Sequence, residues 1–135
     1  MINVYPYLEA IKEKIKELNE FKSVKIGLER GADKAINCPF VRIIQEAQEY
    51  EGFRVDLILQ IVVVFDVKND LEKLYKEFNE AIYKIELKLL ELPVKIEPLS
   101  VNYDEDRLMN LKAGVLRIKL KDLDENWSSK PWNNF

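Results

Sequence analysis

The chain has 135 residues, enough for one domain with a core of its own. Its net charge of −3, with both signs interspersed, leaves no basic face for a phosphate backbone and no polybasic signal for a membrane surface. It contains no histidine, which excludes Ser-His-Asp and Cys-His catalysis and every His-ligated metal site.

Val4, Leu8, Ile11, Ile15 and Leu18 recur at three- and four-residue spacing, and Tyr7 widens the stripe. Lys12, Glu13, Lys16 and Glu17 fill the opposite face, so the pattern predicts an amphipathic helix of about four turns. Pro6 suits its first turn, where a missing N–H costs nothing. Val24–Leu28 alternates and predicts a short strand. Glu29–Asn37 is polar, contains Gly31 and reads as a loop. Phe40–Glu49 predicts a strand that begins apolar and ends polar, and Tyr50–Phe53 supplies a turn. Arg54–Val67 is the longest predicted strand. One face carries Val55, Leu57, Leu59, Ile61, Val63 and Phe65 as a continuous core face. The other carries Asp56, Ile58, Gln60, Val62, Val64 and Asp66, and its apolar members Ile58, Val62 and Val64 require a cover: a helix, a second sheet or another subunit.

Asn69 and Glu72 form a capping-box pattern ahead of a long helix. Leu71, Leu74, Tyr75, Phe78, Ile82, Ile85 and Leu89 make its stripe, Leu87, Leu90 and Leu92 add apolar surface, and Pro93 ends it. Val94–Ile96 and Leu99–Tyr103 are short strand candidates separated by Pro98, and Tyr103–Lys112 is a charged loop. Gly114–Lys121 alternates Leu116, Ile118 and Leu120 against Arg117, Lys119 and Lys121, the pattern of a half-buried strand. The order predicts an α+β fold: a mixed, mainly antiparallel sheet with a long β-hairpin, packed against an N-terminal helix and one long central helix. Residues 1–121 make a single domain, and 122–135 an aromatic-containing C-terminal arm.

The candidate chemistry is sparse. Asp56 with Asp66-Val67-Lys68 imitates the acid–acid–lysine set of a metal-dependent nuclease. No turn residue interrupts Leu57–Phe65, so on one strand the two acids stand about 33 Å apart and share no metal. Asp104, Glu105 and Asp106 lack the alternate spacing and central glycine of a calcium loop and read as solvated. Glu29-Arg30-Gly31-Ala32 is too short for a phosphate loop. Cys38, the only cysteine, has no general base with it and reads as a small core or interface residue in a reducing compartment. Glu9, Lys12, Glu13 and Lys14 stand where a signal peptide would be apolar, and the longest apolar run, Ile61–Phe65, is too short to span a bilayer, so folding in a cytoplasm is expected. No enzyme activity and no cofactor are expected. Trp127, Trp132 and Phe135 are unusual in a polar tail and match interface anchors, either on a neighbouring subunit or folded back onto the chain's own domain; simple disorder is the plain alternative.

Taken together the pattern resembles the tail terminator (minor tail or tail completion) proteins of long-tailed bacteriophages of the lambda type. The similarity runs from Cys38-Pro39-Phe40-Val41-Arg42-Ile43 through the Glu49-Tyr50-Glu51-Gly52 turn and the long strand Asp56–Val67. It continues with the helix Leu71–Leu92 ending at Pro93, the loop Tyr103-Asp104-Glu105-Asp106 and the closing strand Ala113–Leu120. It covers nearly all of residues 1–121 and rests on element order, lengths and punctuating residues; 122–135 has no counterpart. The resemblance implies a homo-hexameric ring in the neck region of the virion tail. Such a ring caps the head-proximal end of the tail tube, stops its polymerisation and gives the head a surface to join. Its partners would be copies of itself, the tail tube protein and a head–neck connector, with no nucleic-acid sequence recognition and no membrane. The candidate subunit interface is Ile58, Val62, Val64, Trp127, Trp132 and Phe135. The competing readings are another tail or neck component, connector or tube, and a small ligand-binding α+β domain.

Overall fold

The computed structural model describes residues 2–27, 38–66, 71–104 and 111–123. Helix α1 spans Tyr5–Lys16, with Pro6 in its first turn and Lys14 and Lys16 in its last, where cations suit the dipole. Asn3 Oδ1 accepts a hydrogen bond from the Tyr5 N–H at 3.1 Å. The stripe Val4, Leu8, Ile11 and Ile15 is buried, and Tyr7 with it. The helix is shorter than predicted: Leu18 lies past its end and packs on the core from the connecting turn. Lys14 is also buried, between Glu17 at 3.4 Å and Glu91 at 3.3 Å. Burial opposes its charge, but the two carboxylates outweigh burial and hold its pKa above the ordinary lysine value.

Five strands form one sheet in the order β1-β2-β3-β5-β4. They are β1 (Ser23–Ile26), β2 (Phe40–Glu51), β3 (Arg54–Asp66), β4 (Lys95–Asp104) and β5 (Leu111–Leu123). Strands β1 and β2 are parallel; all other pairs are antiparallel. The long hairpin is β2–β3, which pairs from Phe40↔Val64 to Glu51↔Arg54. The predicted four-residue turn contracts, because Tyr50 and Glu51 stay in the strand and leave Gly52 and Phe53 as a two-residue loop. Gly52 holds φ +63°, the positive angle that such a loop demands at its first position.

Three bulges interrupt the ladders. In β2, Glu46 is extra between Gln45↔Leu59 and Ala47↔Ile58. In β5, two residues, Lys121 and Asp122, stand between the partners of Leu57 and Val55, and Asp122 takes φ 57°. In β4, Leu99 is extra between Pro98↔Ile118 and Ser100↔Arg117. This last bulge corrects the sequence reading: the two strand candidates around Pro98 are one strand. Proline is tolerated there because β4 is at the sheet edge.

Helix α2 spans Leu71–Leu89 and stops before Pro93. Asn69 lies outside the described residues, so its capping role does too. Leu74, Phe78, Ala81, Ile82, Ile85 and Leu89 are buried, whereas Tyr75, also on the predicted stripe, is exposed. Of the added apolar residues, Leu92 is buried and Leu87 and Leu90 face solvent. Among the described residues both helices pack on one face of the sheet, against Val41, Ile43, Val55, Leu57, Leu59, Ile61, Val63, Leu116, Ile118 and Leu120. Gly114 lets β5 pass under α2: a Cβ there would stand 3.1 Å from Phe78 Cδ1. The Phe78 ring is itself fixed by edge contacts with Phe65, at 4.9 Å, and Tyr103, at 5.7 Å.

Candidate docking surface

The other face of the sheet carries no helix among the described residues, and it divides into two zones. The apolar zone lies where β2 begins and β3 ends. Phe40 and Cys38 of the β2 segment, Val62 and Val64 of β3 and Ala113 of β5 are buried together, with Ile44 and Val115 packed at the margin. Arg42 is buried beside them, its guanidinium carbon 4.5 Å from the Phe40 ring centroid. Its Nη1 donates to the Val41 carbonyl at 2.9 Å and to Ser23 Oγ at 3.1 Å.

The ionic zone lies toward the hairpin turn. The bulge at Glu46 aims its carboxylate across β3 to β5, where Arg117 Nε donates to both oxygens at 2.9 and 3.0 Å. Gln60 Nε2 adds a hydrogen bond at 2.9 Å. The Arg117 and Gln60 donors hold the Glu46 carboxyl down to about 2. Lys119 pairs with Glu49 at 3.1 Å and Lys121 with Glu97 at 3.4 Å. Near the turn, Asp56 Oδ1 accepts from the Asp122 N–H at 3.0 Å, which ties the β5 bulge to β3. These cross-strand pairs fix the register of β2, β3 and β5 from the solvent side.

Of the predicted interface residues, Ile58, Val62 and Val64 lie on this face. Val62 and Val64 sit together in the apolar zone, 1% and 2% exposed. Ile58 is 5% exposed but lies in the ionic zone, opposite Ala47 and Lys119. All three are buried within the single chain, while Ile44 and Val115 beside Val62 and Val64 are only partly buried. Trp127, Trp132 and Phe135 lie outside the described residues, as do Glu105 and Asp106. Asp56 and Asp66 stand near opposite ends of the continuous strand β3, as expected, and do not share a metal.

No protein-family model and no curated protein matches the chain. Among the described residues no group of three or more Cys, Asp or Glu is placed to hold a metal ion, and no helix is long and apolar enough to cross a membrane.

Two further features sit at the ends of β3. The hairpin turn presents Phe53, fully exposed, beside Tyr50 and Arg54. At the far end a cleft of about 420 Å³ opens between the start of β2, the end of β3 and the first turns of α2. Its lining is more polar than apolar: Asp66, Lys73 and Glu77 stand beside Cys38, Pro39, Phe65 and Leu74. Neither feature was read from the sequence as a site. The turn was legible, since Gly52 marks it and Phe53 follows directly. The cleft was not, because its residues come from three separate segments.

Proposed function

We propose that the chain is a structural tail subunit of a long-tailed bacteriophage, of the tail-terminator kind. In this reading, copies assemble into a ring that caps the head-proximal end of the tail tube, stops its polymerisation and offers a surface to the head. The partners are further copies of the chain, the tube protein and a connector.

The observation that carries the reading is the long β2–β3 hairpin in its setting. A helix and a short strand precede it, a long helix stopping before Pro93 follows it, and a second hairpin closes the sheet beside it. That order and those lengths are the ground of the sequence's resemblance to tail terminators. The ionic zone supports a protein-docking role as well. A sheet face that carries no helix among the described residues, lined with oriented charge pairs, gives a partner both register and polarity. Electron microscopy of the purified protein tests the reading. Six-fold rings are the expected particles; a field of isolated monomers at assembly-competent concentrations would contradict it.

A further inference from the structure

Strand β4 is at one edge of the sheet, and among the described residues no strand lies along its outer side. Val101 stands opposite Leu116 and Tyr103 opposite Gly114, so both belong to the face that carries the helices. Tyr103 meets α2 there: its ring centroid is 5.8 Å from that of Tyr75, and its hydroxyl donates to Asn79 Oδ1 at 3.1 Å. Those contacts show which flank of α2 faces the open edge. Tyr75, Asn79 and Tyr83 follow one another along that flank at four-residue spacing. Leu87 and Leu90 continue it to the helix end, where the Leu90 N–H still bonds to the Glu86 carbonyl. A strip of exposed apolar groups therefore runs along α2 and β4. Tyr75, Val101 and Tyr103 are 38–39% exposed, Leu87 46%, Tyr83 62% and Leu90 72%. Most of the exposed large apolar side chains among the described residues lie on this one strip. Scattered single ones are ordinary, but a contiguous strip beside an open strand edge marks a place that something covers.

The strip begins where the description of the chain stops. Residues 90–94 join α2 to β4, so the Leu90 end of the helix is beside the start of β4. Lys95 at that start pairs with Lys121 of β5, two residues before Leu123. Residues 124–135 follow and lie outside the described residues; they carry Trp127, Trp132 and Phe135. From Leu123, twelve extended residues reach about 40 Å, and crossing β4 takes about 10 Å of that. The strip from Leu90 to Tyr75 is about 22 Å long, so the remainder spans it.

We propose that residues 124–135 double back over the start of β4 and lie along this strip of their own chain. Trp127 sits toward Leu87 and Leu90, and Trp132 toward Tyr83 and Val101. The chain's own segment is the occupant because it leaves the sheet at the end of the strip, is long enough to follow it and carries aromatic anchors. Its tether holds it there at an effective concentration on the order of millimolar, which a free partner must match. Pro131 has no N–H to give a ladder, which suits an outermost segment. So placed, the segment closes an edge that would otherwise invite pairing between copies. The inference does not rest on the ring reading.

Both tryptophans of the chain are in this segment, so tryptophan emission reports on it alone. In the native full chain, acrylamide should quench that emission several-fold less than in the urea-unfolded chain. Tyr83→Ser combined with Leu90→Ser changes only exposed side chains, so its thermal melt should match that of the unsubstituted protein while quenching rises toward the unfolded level. Phe53→Ser, at the other exposed aromatic of this end of the sheet, should leave quenching unchanged. Unprotected tryptophans in the native chain, or protection that Phe53→Ser removes and the double variant does not, would overturn the proposal. Cross-linking then shows whose strip is filled. Tyr83→Cys with Trp132→Cys and a short bifunctional maleimide should give a cross-linked single chain that requires both introduced cysteines. Covalent dimers and larger species in its place, or no cross-link, would contradict docking on the same chain.

Discussion

At the scale of single residues, the face of the sheet away from the helices separates packing from electrostatics. Val62 and Val64 are enclosed by Phe40, Cys38 and Ala113, and the buried charge beside them is Arg42, directly opposite Val62. An introduced cation would meet a like charge and no acid of that cluster, so Val62→Lys or Val64→Lys should lower unfolding stability by about 3–5 kcal/mol, measured by urea denaturation. Wild-type stability in both variants would show that the zone is open to water. Glu46 behaves differently. Its carboxyl is held at about 2, below the ordinary 4.5, by Arg117 first and Gln60 second. A depressed acid contributes stability that is fully present above its unfolded pKa and is lost as pH falls through the folded one. The contribution should thus be intact above about pH 4.5 and fade toward pH 2, and Glu46→Gln should flatten that part of the stability–pH curve. An unchanged acid limb would mean that the Arg117 pair does not persist in solution, where its part-exposed partners are screened.

At the scale of elements, the tightest constraint is the crossing of α2 over β5. Gly114 has φ in an ordinary region but no room for a side chain, because Phe78 stands 3.1 Å from its would-be Cβ. Phe65 and Tyr103 hold the Phe78 ring on its other sides, so it cannot give way freely. Gly114→Val should cost about 1–3 kcal/mol, seen as a lower urea midpoint with an unchanged slope. Much of the element pattern was legible in the sequence. The alternation from Val55 to Phe65 and the spacing from Leu74 to Leu89 each identify one buried face, and those faces meet. What escaped was local pairing. Nothing in Phe40–Glu51 marks Glu46 as a bulge, because bulges arise from the register between strands and not from the side chains of one. Pro98 misled for a related reason: it reads as a break unless the strand is known to be at the edge. The docking surface was legible only in part. Val62 and Val64 carry a period-two signal, but their neighbours Phe40, Cys38 and Ala113 come from distant segments. The charges opposite Ile58 declare their partners only once the strands are in register.

At the scale of the whole molecule, one design links these observations. Both helices cover a single face of the sheet, cross-strand ion pairs organise the other, and β3 carries an aromatic tip and a cleft at its two ends. A closed ring of such chains would need one patch of the surface to complement a different patch on the neighbour. The most direct measurement is the mass of the purified protein by light scattering across a concentration series. The account predicts a particle near six times the 15.9 kDa chain, either throughout or emerging as concentration rises. A mass of one chain at every concentration would contradict it.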